Sequence, residues 1–146
     1  MATRPKISFV LNYCTVEEDK HLLLDVKDTW LKQTDSADIY QTTIQVINNI
    51  NNYCKFSHEI ILVDNSDTWK PIEIDNLRVV KGLQTLTREE LKVHPLILEH
   101  QDCDIIEREW TELDNLTMHV SLGMYVGTTH AKGEYVVCQH NDFYYH

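Results

Sequence analysis

Three apolar runs in this sequence end abruptly in polar groups. Asn12 closes the run that begins at Ile7, Asp64-Asn65-Ser66 closes "EIILV", and His140-Asn141-Asp142 follows the run from Tyr135. If the runs are strands of a parallel sheet, these groups lie at its carboxyl end, where open α/β sheets collect ligands. The carboxylates could share a divalent cation with phosphate oxygens. Asp, Asn and Ser at a strand end also start turns with no ligand involved. Other chemistries lack their residues. The eight histidines are scattered, there is no HExxH, and Cys14, Cys54, Cys103 and Cys138 have no paired-ligand spacing. A zinc site is therefore not expected, and free thiols in a reducing compartment are.

The elements that must position these groups follow from the hydrophobic pattern. Lys6 to Cys14 is β-rich and apolar through its middle, as a strand covered on both faces should be. Within Glu17 to Gln33, the residues Leu23, Val26, Trp30 and Leu31 have helical spacing. Ile39, Thr43, Val46, Ile47, Ile50 and Cys54 mark one face of a second helix, with Ser36 or Asp38 as its cap. His58 to Asp67 is the clearest strand, apolar from Ile60 to Val63, and Leu77 to Gly82 is a shorter one. Residues 83–115 read as a helical insert broken at Pro95. Thr117 to Lys132 reads as a helix with Leu122, Tyr125, Val126 and His130 near one face, stopped by Gly133. Tyr135 to Cys138 reads as a buried final strand. Strands alternating with helices predict a single α/β domain over residues 1–146, in three α/β/α layers on a mostly parallel sheet.

Composition bounds the function. The chain has 146 residues, 42% of them hydrophobic and 25% charged, which suits one soluble domain. Its net charge of −10 disfavours nucleic acid and anionic membranes as partners, but not a nucleotide carried with a metal ion. No apolar run approaches the roughly 18 residues of a membrane span. The start, "MATRPKISFVL", lacks a cleavage site, so a cytoplasmic location is expected.

Three stretches together resemble the family 2 inverting glycosyltransferases. They are "ISFVLNYC", "EIILVDNSDTW" (Glu59 to Trp69) and "GTTHAKGEYVVCQHND" (Gly127 to Asp142). Their order and spacing are similar to the nucleotide-binding half of the GT-A (Rossmann-like) fold. The resemblance covers roughly Lys6 to Cys14, Tyr40 to Gly82 and Leu122 to Asp142. It implies transfer of a sugar from a nucleoside-diphosphate sugar to a glycan or other hydroxyl acceptor, with inversion. It implies that Asp64 meets the base or ribose, and that Asn12, Tyr13, Asn65, Ser66 and Asn141 border the nucleotide. It implies a divalent cation, Mn²⁺ or Mg²⁺, on the diphosphate, with Asp142 and His140 as its protein ligands.

The chain departs from that pattern at definite places. The family has Asp at both ends of the final triplet, whereas His140 stands first here, and imidazole suits Mn²⁺ better than Mg²⁺. Met124 and Tyr125 stand where the family has Arg-Asn. The catalytic carboxylate that deprotonates the acceptor belongs to a second half. The expectation is therefore a donor-binding domain cut from a longer protein, its catalytic residue unknown. The rival expectation is a non-catalytic α/β module that binds a nucleotide or partner through a degenerate metal motif. A third is an unrelated α/β domain that shares the pattern by composition. Tyr144 and Tyr145 could stack on a base or sugar, but are expected to cover core exposed where the missing half would pack, and "REEL" and "EREWTEL" are expected to be solvated helix faces.

Overall fold

The computed structural model describes residues 3–15, 36–95, 98, 122–140 and 143–146, with the backbone alone at 36–38, 84 and 88. Among them four strands form one sheet: β1 (Ile7–Tyr13), β2 (His58–Asp64), β3 (Leu77–Lys81) and β4 (Tyr135–Gln139). The order is β3-β2-β1-β4 and every pairing is parallel. The expected α/β class with a parallel sheet is therefore present. The helix expected within Glu17 to Gln33 lies outside the described residues, as do Trp110 and Cys103. The caps expected from Ser36 and Asp38 lie outside the described side chains.

Alternation along the two central strands builds two cores, one on each face of the sheet. Phe9, Leu11, Tyr13, Ile60 and Leu62 meet Ile39, Val46, Ile47 and Ile50 of α1 (Ser36–Tyr53). The face expected for α1 is the face it buries, and Thr43 within it satisfies its hydroxyl on the Ile39 carbonyl at 2.7 Å. On the other side Val10, Ile61 and Val63 meet Leu83, Leu91 and Val126. Leu83 comes from a short 3₁₀ turn, Leu83–Thr85, and Leu91 from α2 (Arg88–Val93). Thr87 caps α2 by accepting from the Glu90 amide at 3.2 Å. The helix stops at His94. Pro95 then opens the next helical stretch, where the missing amide hydrogen is no loss, and Leu98 donates to the His94 carbonyl.

Two expectations are corrected. Residues 122–130 form a helix, α3, but Tyr125 points outward and two glycines point inward. A Cβ on Gly127 would sit 2.2 Å from Val10 Cγ1, and one on Gly123 would sit 1.8 Å from Asn12 Oδ1. Glycine at i and i+4 lets the helix backbone lie directly on β1 and β2, which a Tyr125 face would prevent. The last strand is not buried. Tyr135, Val136 and Cys138 are exposed because β4 has only β1 beside it among the described strands, and α3 covers β1 and β2 instead. Among the described residues Cys14, Cys54 and Cys138 form no disulfide.

The described end of the chain returns to the α1 side. The Tyr145 amide donates to Asn49 Oδ1 at 2.7 Å and its carbonyl accepts from Asn49 Nδ2 at 2.9 Å. Its ring packs against Phe9 at a centroid distance of 6.1 Å. Tyr145 thus covers core. Tyr144 is more exposed and reaches Gln45 at 3.3 Å. Glu89 and Glu90 are solvated, as "REEL" predicts.

Candidate functional site

Four parallel strands bring four tips to one end of the sheet: Tyr13, Asp64, Lys81 and Gln139. Tyr13 is in register with Asp64, and Asp64 with Lys81. On the other flank of β1, Leu11 is in register with Gln139. The chain leaves β1 toward β2 and β3 and later returns to β4 on the opposite side. The reversal therefore lies between β1 and β4, the position at which open α/β sheets form a ligand crevice.

Asp64 is buried, and both its oxygens face the loop that follows it. Oδ1 accepts from the Ser66 amide (3.1 Å), the Ser66 hydroxyl (3.4 Å) and the Thr68 amide (3.4 Å). Oδ2 accepts from the Trp69 amide at 2.9 Å. The strand-end carboxylate therefore shapes residues 65–69, the turn chemistry that Asp supplies without a ligand. Asp67 within this loop takes a left-handed conformation, φ 54°, which Asp tolerates better than most residues.

Hydroxyls tie this loop to the tip of β1. The Thr15 amide donates to Ser66 Oγ at 3.0 Å, the hydroxyls of Thr15 and Thr68 hydrogen-bond each other, and Ser66 Oγ lies 2.8 Å from Thr68 Oγ1. Tyr13 joins the same network through Thr68 and Thr15. Burial holds its hydroxyl above the ordinary tyrosine range, and those two hydrogen bonds pull the other way. Trp69 then stacks into an aromatic group, 5.0 Å from Tyr13 edge-on and 4.7 Å from Tyr40. Sequence reasoning missed Thr15, Thr68, Trp69 and Tyr40. The spacing of Thr68 and Trp69 from Asp64 could have shown those two, because an Asx-type loop reaches donors two to five residues ahead.

The remaining expected residues are placed as follows. Asn12 is buried beneath α3, against Gly123. Asn65 is fully buried on the same face. Its amide nitrogen donates to the carbonyls of Val63 (3.3 Å) and Tyr13 (3.4 Å), and its Oδ1 has no partner among the described residues. Gly82 makes room for that oxygen, since a Cβ there would lie 2.3 Å from it. Ser66 is half-buried in the hydroxyl network. His140 is exposed, and its carbonyl accepts from the Phe143 amide at 3.3 Å. Asn141 and Asp142 lie outside the described residues. Gln139, which the sequence reading passed over, is buried and accepts from the Tyr145 hydroxyl at 2.7 Å.

A cavity of about 360 Å³ opens at the tips of β2 and β3. Asp64, Asp67, Trp69, Pro71, Ile72 and Lys81 line it, with Val79 and Val80 of β3. Among the described residues no three His, Cys, Asp or Glu side chains stand together as a metal site. Of the two expected metal ligands only His140 is among the described residues, exposed at the end of β4, and Asp142 lies outside them. No described helix is long and apolar enough to cross a membrane.

Comparison with protein-family models, curated proteins and solved structures found no match to this chain.

Proposed function

We propose that the chain is a nucleotide-sugar-binding domain of the GT-A type, serving a glycosyltransferase that passes a sugar from a nucleoside diphosphate to a hydroxyl acceptor with inversion. One observation carries the proposal. The parallel order β3-β2-β1-β4 sets the polar tips of β1 and β2 beside each other, with the tip of β4 on the far flank of β1. These are the three segments on which the sequence resemblance rests. The domain's part would be donor binding and orientation, which contribute to catalysis by fixing the reacting geometry. Acceptor deprotonation is assigned to no residue here, because Asp64 is engaged by its own loop.

A non-catalytic module is the second reading. The observation in its favour is that both oxygens of Asp64 already accept from the loop amides. Calorimetric titration of UDP and GDP, with and without Mn²⁺, separates the two. The transferase lineage predicts nucleotide binding that strengthens with Mn²⁺ and loses that dependence in Asp142→Ala. Binding indifferent to Mn²⁺ and to Asp142→Ala favours the module, and no binding of either nucleotide ends the proposal.

A further inference from the structure

His58 opens β2 at the end of the sheet opposite the polar strand tips, and it is half-buried. Both of its ring nitrogens meet an oxygen. Nδ1 lies 2.9 Å from the Phe56 carbonyl, and Nε2 lies 2.8 Å from Asn51 Oδ1 in the last turn of α1. The neighbours of Asn51 fix its orientation. Its amide nitrogen donates to the Asp75 carbonyl at 2.9 Å, and its oxygen also accepts from Asn76 Nδ2 at 3.1 Å. Turning that amide over would set oxygen against oxygen and nitrogen against nitrogen. A neutral imidazole has one N–H and satisfies only one of the two oxygens that face it, whereas the imidazolium satisfies both.

We propose that His58 is a proton-dependent latch, which ties α1 to the start of β2 when protonated and releases Asn51 when neutral. The geometry also selects the bond that is lost. Asn76 Nδ2 lies 3.4 Å from His58 Nε2, a donor in place for a bare Nε2. Among the described residues Nδ1 faces the Phe56 carbonyl and no donor. The neutral ring therefore keeps its proton on Nδ1, turns Nε2 to Asn76, and sets a lone pair against Asn51 Oδ1. The surrounding charges do not replace this contact. Phe9 of β1 meets the ring edge-to-face at a centroid distance of 5.9 Å and carries no charge. Lys55 and Asp75 are exposed, and Glu59 is engaged by Ser8 and Arg78. The sign follows from linkage. A proton held between two acceptors in the folded chain, and only by water in the unfolded one, stabilises the fold at low pH. That contribution is lost as pH rises through the imidazole range.

The test denatures the whole chain with urea at roughly pH 5 and pH 8, the span in which histidine changes charge. Relative to His58→Gln, the wild-type folding constant should fall about fivefold across that span, the worth of one hydrogen bond. Asn51→Ala should flatten the dependence as His58→Gln does. Asn76→Gly should steepen it, because it removes the stand-in donor while glycine accepts the left-handed backbone there, φ 66°. In ¹⁵N–¹H NMR the Asn51 side-chain amide is identified by its loss in Asn51→Ala. It should move with pH in the wild type and stay still in His58→Gln. Either a wild type that runs parallel to His58→Gln in pH, or an Asn51 amide unmoved by pH, overturns the latch. Should His58→Gln not fold, Asn51→Ala and Asn76→Gly decide, and equal pH slopes in those two overturn it.

Discussion

Asp64 is the residue on which structure and function most nearly compete. A carboxylate buried beside four donor contacts from Ser66, Thr68 and Trp69 is a loop organiser first. Asp64→Asn keeps one acceptor but turns an amide NH₂ toward backbone donors. Stability should fall by about 1–3 kcal/mol, since a buried donor then loses its acceptor. Urea denaturation reads this as a lower midpoint at an unchanged slope. A midpoint equal to wild type would mean that the loop is held without the carboxylate, and would free Asp64 for a ligand. Tyr13, Thr15 and Thr68 belong to the same unit, so substitutions among them should not add simply.

The packing of α3 on the sheet turns on two glycines. On helix propensity alone, Gly127→Ala should stabilise by about 1 kcal/mol. The new methyl would stand 2.2 Å from Val10 Cγ1 and 3.1 Å from Val63 Cγ2, in a fully buried contact. Overpacking of this kind costs about 1–3 kcal/mol, so the net effect should be a loss. Val10→Ala in the same chain would make room, and the double variant should recover part of the loss relative to the sum of the singles. Thermal denaturation of the three variants checks this. Strict additivity would show that α3 does not lie on Val10. The same close approach brings Asn12 and Asn65 under the helix, where they lie between Gly123 and the strand tips instead of facing solvent.

Across the molecule, stability should be graded by position in the sheet. β1 and β2 are each paired on both sides, whereas β3 and β4 have one described neighbour apiece. Native-state hydrogen exchange should therefore find the slowest amides in Phe9–Leu11 and Ile60–Val63, with β3 and β4 opening at lower free energy. Slowest exchange in β4 would show that its outer edge is covered in solution. The exposed tip of β4 at His140 and the linked tips of β1 and β2 differ in burial.

Much of this was legible in the sequence, because hydrophobic period is a local property. The apolar runs at Ile7, Ile60, Leu77 and Tyr135 are strands, and the 3.6-residue stripe from Ile39 to Ile50 is the face that α1 buries. The clustering of polar residues at strand ends was likewise visible, since it needs only the runs and their order. The tertiary structure alone decided the neighbours. That β4 pairs with β1, more than a hundred residues away, follows from non-local hydrogen bonding that no window of sequence contains. For the same reason the sequence could suggest Asp64 as a ligand contact, while only the folded loop shows its oxygens already accepting from backbone amides. Gly127 could be read only as the first residue of a motif, and Gly123 as nothing in particular, until the strand beneath them is in place, because a missing side chain acquires meaning only from what occupies its space.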